Sequence, residues 1–336
     1  MSKIKIGVLC PSEIAFRRFM PAISKLSDFE YVGIACASEA EWFGKPTPEL
    51  LKLEREKAEK FRLEYGGVIF DSYASLLSSD SIDAVYIPLP PALHFKPAMQ
   101  ALDNGKHVLL EKPFTTSLAD TEAIILKARE KNLALHENYM FVYHEQLNAI
   151  NDIVSKGELG EVRLIRIDFG FPFRGAGDFR YVKFLGGGAL LDCGGYTIKL
   201  ATMLLGDTAT VTTSYLNNKD NFDVDIYGSA TLKNNDGLTA QVSFGMDNSY
   251  RCNLDIWGST GSLHTGRILT APDGFSPTAV IKKANDEEVI TLPSDDTFGK
   301  SIEHFGRCIR YESERLSHYA DIQLQAKLVQ QIINNN

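Results

Sequence analysis

Apolar and polar positions follow two different rhythms along this chain. In the first third, short runs rich in Val, Ile and Tyr (residues 3–9, 31–36, 68–70, 84–88 and 107–110) alternate with segments whose apolar residues recur at helical spacing (14–26, 47–65, 72–77, 93–104 and 118–131). Strand–helix alternation predicts a parallel sheet with helices on both faces, and a sixth strand at 133–138 would complete a doubly wound order. Further on, strand patterns at 162–171, 208–215, 223–232, 238–244, 253–257, 279–283 and 288–292 follow one another, some across short turns such as Asn235-Asp236-Gly237. Strands without helices between them predict a mostly antiparallel sheet. One helical pattern at 189–205 interrupts the second region and two more, at 299–310 and 320–333, close the chain. The expected fold is therefore α/β: a Rossmann domain over 1–120 and an α/β domain with an open, mostly antiparallel sheet over 121–336.

Composition narrows the class. At 336 residues, 44% apolar and 23% charged, the chain suits a two-domain globular protein. A formal charge of -8 argues against nucleic acid or an anionic membrane as the main partner, and leaves a small-molecule substrate. No apolar stretch is long enough for a secretory signal or a membrane span. Cys10, Cys36, Cys193, Cys252 and Cys308 are scattered and odd in number, as expected of a reduced, cytoplasmic protein. The seven histidines show no close pair, so no metal is expected.

Three segments carry candidate chemistry. The first strand runs through Gly7 into Cys10, Pro11, Ser12, Glu13, Ile14 and Ala15. A dinucleotide fingerprint would place glycines at positions 10 and 12, and only Ala15 fits it. The location is that of a helix N-terminus offering N–H groups to a pyrophosphate, but the segment reads equally as a turn capped by Ser12. In the second segment a strand breaks at three prolines around Leu89 and reaches His94. A helix follows, then a strand ending in Glu111-Lys112-Pro113. Open parallel sheets bind ligands at the carboxyl ends of their strands, which is where Glu111 and Lys112 fall. The third segment runs from Gly186 to Lys199. Helical from Ala189, it sets Asp192 and Tyr196 four residues apart on one face. Adjacent Gly194 and Gly195 each cost such a helix about 1 kcal/mol relative to Ala, which suggests close approach of another group, the nicotinamide or the substrate among the candidates.

The stretch from Pro88 to Pro113 resembles the family of glucose-fructose oxidoreductase and inositol dehydrogenase (Gfo/Idh/MocA), whose hallmark is Glu-Lys-Pro. The resemblance covers nearly the whole chain and is closest to the nucleotide-sugar C-3 ketoreductase branch. Its signatures recur around Ile14 to Arg18, Glu137 to Phe141, Arg180-Tyr181, Gly186 to Asp192, Phe244 to Met246 and Gly258 to Gly261. The resemblance implies reduction of a keto group on a nucleotide-linked sugar, with Lys112 as proton donor and Tyr196 as an assisting acid or orienting group. It implies cofactor contacts from Cys10, Pro11, Ser12, Glu13, Ile14, Ala37, Ser38, Glu39, Tyr73, Leu89, His94, Glu111, Arg180 and Asp192. Substrate contacts would come from Arg17, Asn138, Tyr181, Tyr250 and Thr270, with Arg17 on a phosphate. A homo-oligomer, dimer or tetramer, is expected through the open sheet.

Cofactor choice turns on the end of the second strand. Glu39 stands where the related branch has Arg, and a carboxylate there repels a 2′-phosphate. Lys45, within the insertion 41–48, could restore positive charge, so the reading favours NAD(H) over NADP(H) only slightly. Two other readings stay open: a dehydrogenase of a cyclitol, free sugar or dihydrodiol, and a non-catalytic binding protein on the same fold.

Overall fold

The computed structural model describes residues 2–175, 177–219 and 221–336. Six parallel strands, β1 (Ile4–Val8), β2 (Phe29–Ala35), β3 (Val68–Phe70), β4 (Ala84–Ile87), β5 (His107–Leu110) and β6 (Leu135–Glu137), pair in the order β3-β2-β1-β4-β5-β6. Between them run α1 (Met20–Ile23), α2 (Pro48–Tyr65), α3 (Tyr73–Leu77), α4 (Phe95–Asp103) and α5 (Leu118–Lys131). The strands β4 and β5 read as unbroken apolar runs because helices cover both faces of a parallel sheet. Local signals set the helix ends. Thr47 accepts the Leu50 N–H and Ser117 that of Asp120, while Asn132 closes α5 in the left-handed region at φ 55°.

The second part begins with α6 (Glu145–Ser155) and builds an eight-stranded sheet. Its strands are β7 (Val162–Gly170), β8 (Thr210–Asn218), β9 (Asp225–Lys233), β10 (Thr239–Gly245), β11 (Arg251–Gly258), β12 (Ser262–Thr265), β13 (Thr278–Lys283) and β14 (Asp286–Thr291). They pair in the order β14-β13-β12-β11-β7-β10-β9-β8, antiparallel except for β7 with β10. Alternate residues of β9, β10 and β11 are buried, as a sheet with one covered face requires. The covered face packs against α6 and α7 (Gly195–Leu205) through Leu147, Ile150, Ile198 and Leu200. The chain closes in α8 (Thr297–Arg310) and α9 (Glu312–Asn334).

Two compact units result: Met1–Asn138 with Phe298–Gln323, and Tyr139–Thr297 with Leu324–Asn336. The division differs from the expected boundary near 120 because β6 pairs with β5 and so extends the first unit to Asn138. Two elements went unread in the sequence. The apolar positions of α6 sit among Asn and Asp residues, and β12 is a four-residue strand with a single large apolar side chain. No helix among the described residues is long and apolar enough to cross a membrane.

Candidate active site

In the first unit, the chain runs outward from β1 to β3 and then crosses back to lay β4 beside β1, so the strand order reverses between β1 and β4, the point where such sheets open a crevice at the carboxyl ends of their strands. After β1 the turn is capped: the Ser12 hydroxyl accepts the Ala15 N–H at 3.2 Å, and a single wide π turn, Ala15–Phe19, leads into α1. Burial pushes the Cys10 thiol up to about 12, so it stays neutral beside an incoming anion. Arg17 is exposed and lies 3.6 Å from Glu13 one turn back.

The loop after β5 is held by buried polar contacts. Tyr86 and Asn138 each donate to Glu111 Oε1 at 2.6 Å. Burial raises the Glu111 carboxyl above the usual range, against these two donors and the neighbouring Lys112 charge. The Lys112–Pro113 peptide is cis, and the Phe114 N–H donates to Glu137 Oε1 at 2.8 Å. His94, fully buried, places one ring nitrogen 2.7 Å from the Leu89 carbonyl and the other 3.1 Å from those of Pro113 and Phe114. The ring thus ties the end of β4 to the loop after β5, and burial holds its pKa below that of ordinary histidine. Asn138 is likewise buried. Its carbonyl accepts the Ser301 hydroxyl at 2.8 Å while its amide serves Glu111. Both residues were expected to contact ligands; in the structure they brace the loop that carries Lys112.

The second unit holds the other candidates. Gly186 and Gly188 have φ of 82° and 125°, and a side chain at Gly188 would meet the Asp225 carboxylate. That carboxylate instead accepts the Leu190 N–H at 2.6 Å and starts the helix. A second π turn, Leu190–Gly194, precedes α7. Arg180 donates to Asp192 at 2.9 Å and to Asp178 at 3.1 and 3.2 Å, so its charge is held by two carboxylates. Tyr196 is buried among the rings of Tyr139, Phe141 and Phe169, with centroids 5.2–5.7 Å away. The close approach implied by the paired glycines comes from the chain itself. A side chain at Gly194 would meet Phe244, and one at Gly195 the Tyr139 hydroxyl. Tyr181 is buried too, its hydroxyl donating to the Met246 carbonyl at 2.7 Å. Tyr250 and Thr270 do come together, hydroxyl to hydroxyl at 3.1 Å.

Two family models match the chain: the GFO/IDH/MocA C-terminal domain over residues 147–264, and the oxidoreductase family with an NAD-binding Rossmann fold over 46–139. The dTDP-3,4-didehydro-2,6-dideoxy-alpha-D-glucose 3-reductase of Actinomadura kijaniata is 36% identical, over 97% of this chain and 93% of its own length. The protein of that description from Streptomyces violaceoruber is 37% identical over 91% and 85%. The chain belongs to the Gfo/Idh/MocA family of oxidoreductases. Among solved structures, KijD10, a 3-ketoreductase from Actinomadura kijaniata in complex with NADP and TDP-benzene, superimposes with a TM-score of 0.91. It is 35% identical and the match covers 99% of this chain and 98% of that one.

As a Gfo/Idh/MocA chain, this one has its unusual first turn outside the Rossmann match, which begins at residue 46. Three features escaped the sequence reading. Arg267, in the left-handed region at φ 56°, donates to the Tyr250 hydroxyl at 2.8 Å and stacks over its ring; a lone arginine between strands carries no sequence signal. Glu41, not Glu39, makes the hydrogen bonds at the end of β2. His136, His304 and His318, far apart in sequence, bring ring nitrogens within 4.8 Å of one another. The Nε2 atoms of the three rings lie near protein groups: that of His136 2.8 Å from the Ser301 hydroxyl, that of His318 accepting the Glu137 N–H at 3.3 Å and that of His304 3.6 Å from Glu314.

Proposed function

We propose that this chain reduces a keto group of a nucleotide-linked deoxysugar with a nicotinamide cofactor, Lys112 serving as proton donor. The observation that carries the reading is the loop after β5, where Tyr86 and Asn138 hold the Glu111 carboxylate and the His94 ring lies against the Pro113 carbonyl, on either side of Lys112. The similarity to dTDP-sugar 3-reductases across almost the full chain selects the substrate class.

The crevice fits a dinucleotide in its donor set. Cys10 to Ile14, Ala37 to Glu39, Leu89 and Glu111 all lie at carboxyl ends of parallel strands, with Tyr73 at the start of α3. These residues would hold NAD(P), which when bound supplies the hydride. As a carbonyl is reduced, negative charge grows on its oxygen. A cation fixed there stabilises the transition state more than the ground state and delivers the proton. Tyr196, its ring immobilised by three aromatic neighbours, orients the sugar and assists through its hydroxyl. Asp192 fixes the Arg180 guanidinium, and Arg17, Tyr250 and Thr270 are the proposed contacts to the nucleotide end. Exposed Tyr215, Tyr227 and Trp257 on the second sheet support a homo-oligomer through that face, which light scattering of the purified protein would test.

The experiment is to supply a dTDP-linked 3-keto sugar and follow loss of the reduced nicotinamide. Free ketoses and cyclitols serve as comparisons. Turnover with the nucleotide-linked ketone, lost when the nucleotide is removed, is the expected result. Turnover confined to free sugars or cyclitols would overturn the substrate class.

A further inference from the structure

Three histidines meet inside the first unit although no two of them are close in sequence. His136 comes from β6, His304 from α8 and His318 from α9, and one ring nitrogen of each falls within 4.8 Å of the other two. His136 and His318 are buried, while His304 is only partly covered and gives the group an opening to solvent. Hydrogen bonds set the tautomer of the innermost ring. Ser301 has one hydroxyl proton and gives it to the Asn138 carbonyl, so His136 Nε2 is the donor in its 2.8 Å bond to Ser301. A neutral His136 then carries its lone pair on Nδ1. His304 sets Nε2 3.6 Å from the Glu314 carboxylate and Nδ1 3.6 Å from the sulfur of Cys308, one turn along α8. Whichever nitrogen His304 turns to a cation, the other keeps a polar group behind it. His318 Nε2 accepts the Glu137 N–H at 3.3 Å, beyond the usual range for such a bond, and a cation can displace it.

We propose that His136, His304 and His318 form a binding site for one divalent transition-metal ion of the zinc class, which ties β6 to the two C-terminal helices. Three imidazole ligands suit Zn²⁺, Ni²⁺ or Co²⁺ and not Mg²⁺ or Ca²⁺, which take oxygen ligands. Histidines that hold a metal characteristically give their other ring N–H to a hydrogen-bond partner, as His136 gives its own to Ser301. A zinc–nitrogen bond of about 2.1 Å brings ligand nitrogens to roughly 3.4 Å from one another. The rings therefore close by about an ångström, and the pair His136 and His318, stacked at 13° with centroids 4.6 Å apart, tilts. The fourth position faces the partly open side at His304, where water completes the shell. The three ligands are not among the residues of the proposed reduction, and the site stands whatever the cofactor and the sugar.

The test uses the full-length protein without an affinity tag, stripped with EDTA and dialysed. It is titrated with Zn²⁺ against a chromophoric chelator, and with Co²⁺ by visible absorption. The wild type is expected to bind one equivalent of Zn²⁺ with a Kd of about 1 µM or tighter, and Co²⁺ to develop the d–d bands of a nitrogen-ligated site. Saturating Zn²⁺ should raise Tm, while Mg²⁺ at the same concentration should not. His304→Gln, at the least buried of the three positions, should weaken Zn²⁺ binding at least about a hundredfold, and His318→Gln should do the same. His264→Gln, at an exposed His–Asp pair on β12, should leave it unchanged. Should His318→Gln fail to fold, His304→Gln and the wild-type cobalt spectrum decide. Three results overturn the proposal: no stoichiometric Zn²⁺, an equal response to Mg²⁺, or Zn²⁺ binding that survives His304→Gln and is lost in His264→Gln.

Discussion

The loop after β5 and the turn from Gly186 to Tyr196 are both candidate active-site segments, yet they are held by different physics. In the first, directional polar contacts decide: Glu111 accepts from Tyr86 and Asn138, Glu137 accepts the Phe114 N–H, and the His94 ring nitrogens lie against the carbonyls of Leu89, Pro113 and Phe114. In the second, space decides. Phe244 closes on Gly194, the Tyr139 hydroxyl on Gly195, and three rings surround Tyr196. A hydrogen-bonded segment responds to charge and pH, because breaking one bond strands a buried partner. A close-packed segment responds to volume and scarcely to pH. The second reaches its helix through a π turn, Leu190–Gly194, a local widening common near functional sites that recurs after β1 at Ala15–Phe19.

The largest effect should come from the polar segment. Lys112→Ala removes the proposed proton donor and should lower kcat by about 10²–10⁴-fold while nicotinamide-cofactor binding is kept. Tyr196→Phe, which leaves the packed ring in place, should cost less. Saturating kinetics on both variants with one keto sugar rank them. A variant at Lys112 with near wild-type turnover would exchange the two roles.

Next in size is a pH effect at the other end of β5. His107 accepts the Ala134 N–H on Nδ1 at 2.8 Å, and burial, with the Arg315 charge, pushes its pKa down to about 4. The folded state therefore favours the neutral ring, and between that value and the unfolded value of about 6.5 the unfolded chain binds more protons. The stability is fully present above about pH 6.5 and is lost as pH falls toward 4, a change of about 3 kcal/mol. Urea melts from pH 7 to 4.5 should show this slope in the wild type and a flatter one in His107→Gln. Equal slopes would show that other groups carry the acid sensitivity.

The packed segment should answer to volume. Gly195→Ala places a methyl against the Tyr139 hydroxyl and should destabilise by about 2 kcal/mol, despite the better helix propensity of Ala. Adding Tyr139→Phe removes the obstructing oxygen and should recover about half of that loss. If the double variant is no more stable than the single one, the Tyr139 hydroxyl is not what keeps the position small.

Much of this was readable in one dimension. The first five strands of the first sheet appear as short apolar runs, and Glu111 and Lys112 stand at a strand end because the alternation locates β5. What stayed hidden depends on partners brought from afar. Ser301 reaches His136 across 165 positions, and Gly195 is small because of Tyr139, not a ligand. At the end of β2 the reading chose Glu39 by alignment. The fold turned Glu41 inward instead, since its carboxylate finds four donors there. Donors set by backbone geometry leave no mark in the spacing of residue types.

The smallest expected effect tests how far the polar network extends. Ser301, fully buried on α8, takes part in a bond with His136 Nε2 at 2.8 Å and donates its hydroxyl to the Asn138 carbonyl at 2.8 Å. With that carbonyl engaged, the Asn138 amide is oriented so that its N–H, not its oxygen, faces the buried Glu111 carboxylate. Ser301→Ala should cost about 1 kcal/mol of stability and loosen that orientation. A weaker donor lets burial raise the Glu111 carboxyl further, so less of it is ionised beside Lys112 at a given acidic pH. The acid limb of kcat/KM should then move to higher pH, with kcat at neutral pH falling about threefold. Ser301→Thr, which keeps the hydroxyl, should restore the wild-type profile. If stability falls in Ser301→Ala while the acid limb stays in place, the residue supports the fold and the network stops at Asn138.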